Sequence, residues 1–168
     1  MASGEAENRT QYSAIQKAAH WALAILCVFA FPTAIGIQRA HIGHAFGIEP
    51  PLKDYLMAIA HEWTGWLILG LAALLLEARL LQGAPKLPPD MRLWQRLLAH
   101  ANHVALYFGV FALVVSGFAA MYVSGKFVFL HMALTQLGVA LVSLHLLAVL
   151  WHHLFRRDNL LERLMPNR

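Results

Sequence analysis

Four long apolar runs take up most of this 168-residue chain, and they leave it one kind of environment in which to fold. They lie at about residues 14–37, 56–81, 97–123 and 128–154. Each reaches the roughly 20 residues that cross about 30 Å of hydrocarbon as a helix. Charged residues make up 13% of the chain and hydrophobic ones 59%, whereas soluble domains carry about 25% charged residues. The runs predict an all-α integral membrane protein: a four-helix bundle in up-down-up-down order, with residues 1–168 as a single membrane domain. What lies between the runs is short, so a separate soluble domain does not fit.

The formal net charge of +4 is distributed by topology rather than gathered for nucleic acid, and no nucleic-acid partner is expected. Arg9 and Lys17 sit at or before the start of the first run. Arg79, Lys86, Arg92 and Arg96 surround the connection between the second and third, and Arg156, Arg157, Arg163 and Arg168 follow the fourth. All of these fall on one side of the bundle, leaving Arg39, Lys53 and Lys126 on the other. By the positive-inside rule, the basic side and both termini face the cytoplasm. The apolar run after Lys17 is too long for a signal-peptide core and lacks an A-x-A-like cleavage site, so it is expected to stay as the first helix.

Punctuation along the chain places the connections. Pro32 is expected to bend the outer end of span one. Residues 38–55, with Gly43, Gly47 and Pro50-Pro51, read as a long outer loop. Residues 82–90 hold Pro85, Pro88 and Pro89 and cannot continue a helix. Residues 91–96 read as an interfacial stretch, with Trp94 at headgroup depth. Ser124-Gly125-Lys126 turns the chain into span four.

Ten histidines are many for so short a chain, and their depths pair up. His131 and His145 lie fourteen residues apart in span four, about 21 Å along a helix and close to four whole turns, so both rings leave one side. Gly138 lies midway on that side, leaving room for flat groups above and below. His61 in span two matches the outer depth of His131, and His20 in span one matches the inner depth of His145. Taken singly, each is equally an interfacial residue. Two facing pairs in the core of a four-helix bundle instead meet the need of a low-spin haem for two axial ligands. The alternative of zinc fails, because His61-Glu62 would need a second His where Gly65 stands. Cys27 is the only cysteine, so C-x-x-C-H attachment is excluded and any haem is non-covalent and b-type.

The remaining histidines are less constrained. His100 and His103, an i, i+3 pair where span three begins, are candidates to hold a haem propionate or relay protons, or are simple interfacial residues; their depth, comparable to that of His20, also lets either replace His20 or His145 as ligand. His152 lies seven residues beyond His145, about 10 Å nearer the cytoplasm on nearly the same face. That is where quinone head groups travel, and Arg156 is close by; an ordinary snorkelling cluster is the competing reading. His41 and His44 in the outer loop say nothing by themselves.

Several of these segments resemble the bacterial cytochrome b561 family. They are His20-Trp21, His61 with Gly65, Ala99-His100-Ala101-Asn102-His103, Leu144-His145, and the closing His152-His153-Leu154-Phe155-Arg156-Arg157-Asp158-Asn159-Leu160-Leu161. The resemblance runs from about residue 14 to Pro166 and is greatest to the short stand-alone members, superoxide oxidases among them. It implies two b haems ligated by His20, His61, His131 and His145, and a quinone site on the cytoplasmic side with His152 as its histidine. The implied setting is a bacterial inner membrane, with superoxide or a periplasmic redox protein as outer partner and ubiquinone as diffusible acceptor. The expected activity is superoxide:ubiquinone oxidoreduction. The alternatives are a carrier that oxidises quinol for a periplasmic acceptor, and a non-enzymatic cytochrome b subunit anchoring a hydrogenase- or dehydrogenase-like partner. For a superoxide donor, Lys126, five residues before His131, is the best placed outer cation to steer an anion.

Overall fold

The computed structural model describes residues 11–88 and 91–165. Arg9, Pro89, Asp90, Pro166 and Arg168 lie outside the described residues, as do the side chains of His41 and His44. Four helices follow one another: α1 (Ala14–Ala45), α2 (Leu52–Gln82), α3 (Leu93–Tyr122) and α4 (Phe127–Trp151). One π-helical turn (His152–Arg156) and one 3-10 turn (Glu162–Leu164) close the chain. All four helices are long and apolar enough to cross a membrane, and among the described residues there is no strand.

The ends of the helices depart from the expected spans. α1 continues to Ala45 and α2 starts at Leu52, so residues 38–55 are mostly helix and the connection is only residues 46–51. Hydropathy marks where hydrocarbon ends, but a helix is free to continue past it: the 32 residues of α1 span roughly 48 Å. The stop comes at Gly47, whose φ of 67° is left-handed, with Ile48 N–H returning to Gly43 O at 2.9 Å. α1 also runs on through Pro32 without interruption. Within the expected interfacial stretch 91–96, residues 93–96 are the first turn of α3, because Arg92 N–H donates to Gln95 Oε1 at 3.0 Å and caps the start of the helix. Arg96 then donates to Met91 O (3.1 Å) and Pro88 O (3.3 Å), pinning the preceding loop.

Helix α1 packs most closely on α2 and α3 on α4, with a lighter α2–α3 seam between the two hairpins. At Gly36 an added Cβ would lie 2.3 Å from Met57 Cβ and 2.8 Å from Asp54 O, so the α1–α2 contact depends on the missing side chain. The start of α1 is a reciprocal cap: Ser13 N–H donates to Gln16 Oε1 (3.0 Å) and Gln16 N–H to Ser13 Oγ (3.3 Å). Gln16 Nε2 then reaches Ala78 O and Gly83 O at 3.3 and 2.8 Å, tying that end to α2. At the same end the tail folds over the bundle. Trp21 Nε1–H donates to Leu164 O at 3.1 Å, and an Arg163 guanidinium N–H donates to Lys86 O at 2.6 Å.

Burial is inverted relative to a soluble protein. The buried residues are largely small or polar, among them Ala19, Ala72, Thr33, Thr64, Asn102 and Ser116, while Phe129 is 81% exposed. Lipid offers large apolar side chains a surface as good as the core, so small residues take the helix contacts and polar ones turn inward. Gly36→Ala is therefore expected to force α1 and α2 apart and cost about 1–3 kcal/mol. Thermal loss of the folded protein in detergent should fall to a clearly lower midpoint, while Gly70→Ala, where a Cβ meets nothing within 4 Å, leaves it unmoved.

Candidate haem-binding site

The half-buried positions of α4 trace a single stripe that includes His131, Gly138 and His145, and half-buried His152 and Arg156 of the π turn continue it, so these residues share the inward face. Across from that stripe the structure brings two imidazole pairs together. His61 of α2 and His131 have ring centres 6.4 Å apart, and His20 of α1 and His145 have ring centres 6.3 Å apart. One pair lies at the far end of the bundle, the other towards the basic end that carries Lys17, Arg79, Arg96 and Arg156.

Each far-end ring is held by its Nδ1. His61 Nδ1–H donates to Ala30 O at 3.0 Å, with Thr33 Oγ1 at 3.2 Å; His131 Nδ1–H donates to Leu113 O at 2.9 Å, with Ser116 Oγ at 3.2 Å. A carbonyl can only accept, so both Nδ1 atoms are protonated and Nε2 keeps its lone pair, the tautomer a metal ligand needs. At the basic end His145 Nδ1 lies 3.4 Å from the buried Asn102 side-chain amide. Asn102 Oδ1 has no hydrogen-bond partner among the described residues, and a half turn of the amide would present that oxygen to the ring.

The arrangement fits non-covalent haem. Two imidazoles on opposite sides of one metal put their ring centres roughly 6.2 Å apart, given a bond of about 2 Å and about 1.1 Å from nitrogen to ring centre on each side. Both pairs match that spacing. Among the described residues no group of three or more His, Cys, Asp or Glu forms a cage for a bare ion. A metal held by two imidazoles here needs its other positions filled by a flat ligand, and the glycines leave space for one. A Cβ built on Gly65 or Gly138 meets nothing within 4 Å.

The other candidate residues fall into place unequally. His103 joins the basic-end pair, its ring centre 5.1 Å from that of His145 and perpendicular to it, too close to share one metal from the opposite side. Its Nδ1–H donates to Ala99 O at 2.7 Å. His100, one turn before it on α3, is exposed. Lys126 is exposed in the turn before α4, while Arg39 is paired with Asp54 at 3.9 Å. Next to His61, Glu62 accepts a hydrogen bond from the Tyr122 hydroxyl. His152 opens the π turn and is hydrogen-bonded through Nδ1 to Asp158.

Sequence reasoning missed the residues that aim the rings: Thr33, Asn102, Ser116, Gly117 and Asp158. Gly117 matters most, since a Cβ there would lie 2.9 Å from His131 Cε1 and 3.1 Å from its Nδ1. The available signal was Ser116-Gly117, a pair of small residues inside an apolar run.

An all-helical membrane bundle with opposed histidine pairs in its core is the design of a membrane-bound b-type cytochrome. A family profile described as prokaryotic cytochrome b561 matches residues 11–167, and the chain belongs to that family. The family binds b-type haem and transfers electrons. The chain is 25% identical over 180 residues to a Yersinia pestis protein named probable superoxide oxidase CybB, covering 94% of this chain and 97% of that one. It is 31% identical over 106 residues to cytochrome b561 homolog 1 of Escherichia coli K12, covering 50% of this chain and 60% of that one.

Two glycine substitutions test the site without touching a ligand. Gly117→Ala is expected to displace His131, and Gly138→Leu to fill the open space on α4; each should lower the haem bound per chain in a pyridine-haemochrome assay. Gly70→Ala should bind as much haem as the unaltered protein.

Proposed function

We propose that this protein is a di-haem cytochrome b of a bacterial inner membrane that oxidises superoxide at the far, outer end and reduces ubiquinone at the basic, cytoplasmic end. The observation that carries the reading is the stripe along α4 and into the π turn after it, which sets His131, Gly138, His145 and His152 in line from one end of the bundle to the other. Similarity along nearly the whole of the Yersinia pestis chain supports superoxide as donor. The charge asymmetry supports cytoplasmic termini. In this reading two superoxide ions give up one electron each and leave as oxygen, and one ubiquinone takes two electrons and two protons.

Haem, when bound, supplies reversible one-electron steps; the chain supplies position, burial and charge. His61 and His131 would hold one haem, and His20 and His145 the other. Nδ1 bonds to Ala30 O and Leu113 O fix the far-end rings in the orientation that ligation needs. Lys126 offers an approaching anion a positive charge at the exposed start of α4, while Asp54 already engages Arg39. His103, whose ring lies beside that of His145, would hold a propionate or pass a proton, with exposed His100 as the further candidate. At the basic end His152 presents a donor to a quinone carbonyl, whose oxygen gains charge on reduction, and Arg156 adds positive charge beside it.

The ligand set is tested by haem counts. Alanine at His61 or His131 should remove one haem, alanine at His20 or His145 the other, and His103→Ala should keep both. Loss of a haem from His103→Ala with both retained in His20→Ala would reverse the basic-end assignment.

Superoxide chemistry is tested by stopped flow. Reduction of the haems by superoxide is expected to be far faster than that of free haem, to slow with added salt, and to slow in Lys126→Glu, since a focused positive opening raises an anion's encounter rate by roughly 10–10³. A rate no better than that of free haem would favour the quinol-oxidising carrier. A fast rate indifferent to salt and to Lys126 would keep the activity and remove the steering.

A further inference from the structure

Beyond Trp151 the chain stops following α-helical geometry, and the departure has one conspicuous product. The π turn His152–Arg156 is closed by Arg157 N–H donating to His152 O at 2.7 Å. Arg157 and Asn159 both take left-handed φ values, 51° and 58°, on either side of Asp158. Left-handed backbone at a non-glycine residue is uncommon, and two such residues in three positions mark a segment held in place by its surroundings. Their effect is to fold Asp158 back against His152, whose Nδ1–H donates to Asp158 Oδ2. Both side chains are largely enclosed, at 7% exposure for Asp158 and 13% for His152, although this is the surface end of a lipid-facing helix. Arg156 Nε lies 3.7 Å from the same oxygen. Asp158 Oδ1 is buried with no hydrogen-bond partner among the described residues.

We propose that Asp158 is the positioning residue of the quinone site: it holds His152 by Nδ1 and so turns Nε2 towards the quinone carbonyl. The inference rests on the reading that quinone binds at His152. A histidine with one nitrogen committed to a carboxylate is fixed in tautomer and ring plane. When the ring carries two protons, Nδ1–H stays on Asp158 and Nε2–H is left to donate; the carboxylate offsets the charge of the ring in that state. A helix cap would need only the backbone turn, whereas a buried carboxylate on the imidazole points to control of the ring itself. Arg156 adds a positive charge beside the same carboxylate oxygen.

The test uses the haem-loaded protein in detergent and a short-chain ubiquinone, with affinity read by equilibrium dialysis and turnover by the KM and kcat of quinone reduction. His152→Ala and Asp158→Ala are each expected to weaken ubiquinone binding about tenfold and to raise KM, with haem content and spectrum unchanged. Asp158→Glu should recover part of the loss. The double variant should bind no worse than His152→Ala alone, because Asp158 acts only through that ring. If Asp158→Ala sheds haem, Asp158→Asn, which keeps the shape without the charge, is measured in its place. Full affinity in the Asp158 variants alongside weak binding in His152→Ala would overturn the positioning role and leave the quinone site standing. Losses that multiply in the double variant would also overturn it, showing that Asp158 acts independently of the ring. Full affinity in His152→Ala would remove the quinone site itself, and this inference with it.

Discussion

An imidazole in hydrocarbon has two nitrogens to satisfy, and the carbonyl of a neighbouring helix satisfies only one of them. In this bundle the far-end histidines reach out of their own helices for that bond, His61 of α2 to Ala30 of α1 and His131 of α4 to Leu113 of α3. Each bond fastens a hairpin together, and each leaves Nε2 with its lone pair. The rest of the packing follows. Thr33 and Ser116 add a hydroxyl beside each acceptor carbonyl, Gly117 clears the space His131 occupies, and Gly36 draws α1 against α2. Helix association in lipid gains little from burying large apolar groups, so small residues and shared hydrogen bonds bear the organisation.

The basic end is built differently. There the rings of His20 and His145 are joined by a third, His103, and His145 Nδ1 faces the Asn102 side-chain amide. Around them the chain ties itself down with Gln16, Arg96, Trp21 and Arg163, all bonded to backbone carbonyls of other segments. A rigid frame at this end holds the segment after α4 in its unusual path. That path in turn sets Asp158 against His152.

Much of this was legible in the sequence because membrane helices obey few rules. Length and apolarity marked the four helices, and the fourteen-residue interval from His131 to His145 set their shared face and their depths. Depth alone matched His61 and His20 to their partners. The ends of α1 and α2 were misread because apolarity reports the thickness of lipid, not the length of helix. Gly117, Thr33, Ser116 and Asn102 were missed for another reason. Each acts on a ring carried by a different helix, and the rotation of one helix against another leaves no mark in a single sequence. Asp158 was hidden by the π turn and two left-handed residues, which break the helical period that would have placed it.

The uneven charge of the two ends also bears on the direction of the proposed electron flow. Among the described residues the basic end carries Lys17, Arg79, Lys86, Arg92, Arg96, Arg156, Arg157 and Arg163 against Glu77, Asp158 and Glu162. The far end sets Arg39, Lys53 and Lys126 against Glu49, Asp54 and Glu62, and so has no net charge by the same count. An electron added to a haem is one more negative charge, and at an effective dielectric of about 20 a single positive charge roughly 10 Å away stabilises it by about 1.7 kcal/mol. Screening and distance reduce each contribution at the surface, but the excess has one sign and sits at one end. Buried Lys17, one turn before His20, is the least screened of these cations. In the proposed reading an electron entering at the far end therefore moves towards the positive field that retains both termini in the cytoplasm. The neutral far end then relies on the local placement of Lys126, not on overall charge, to attract an anion.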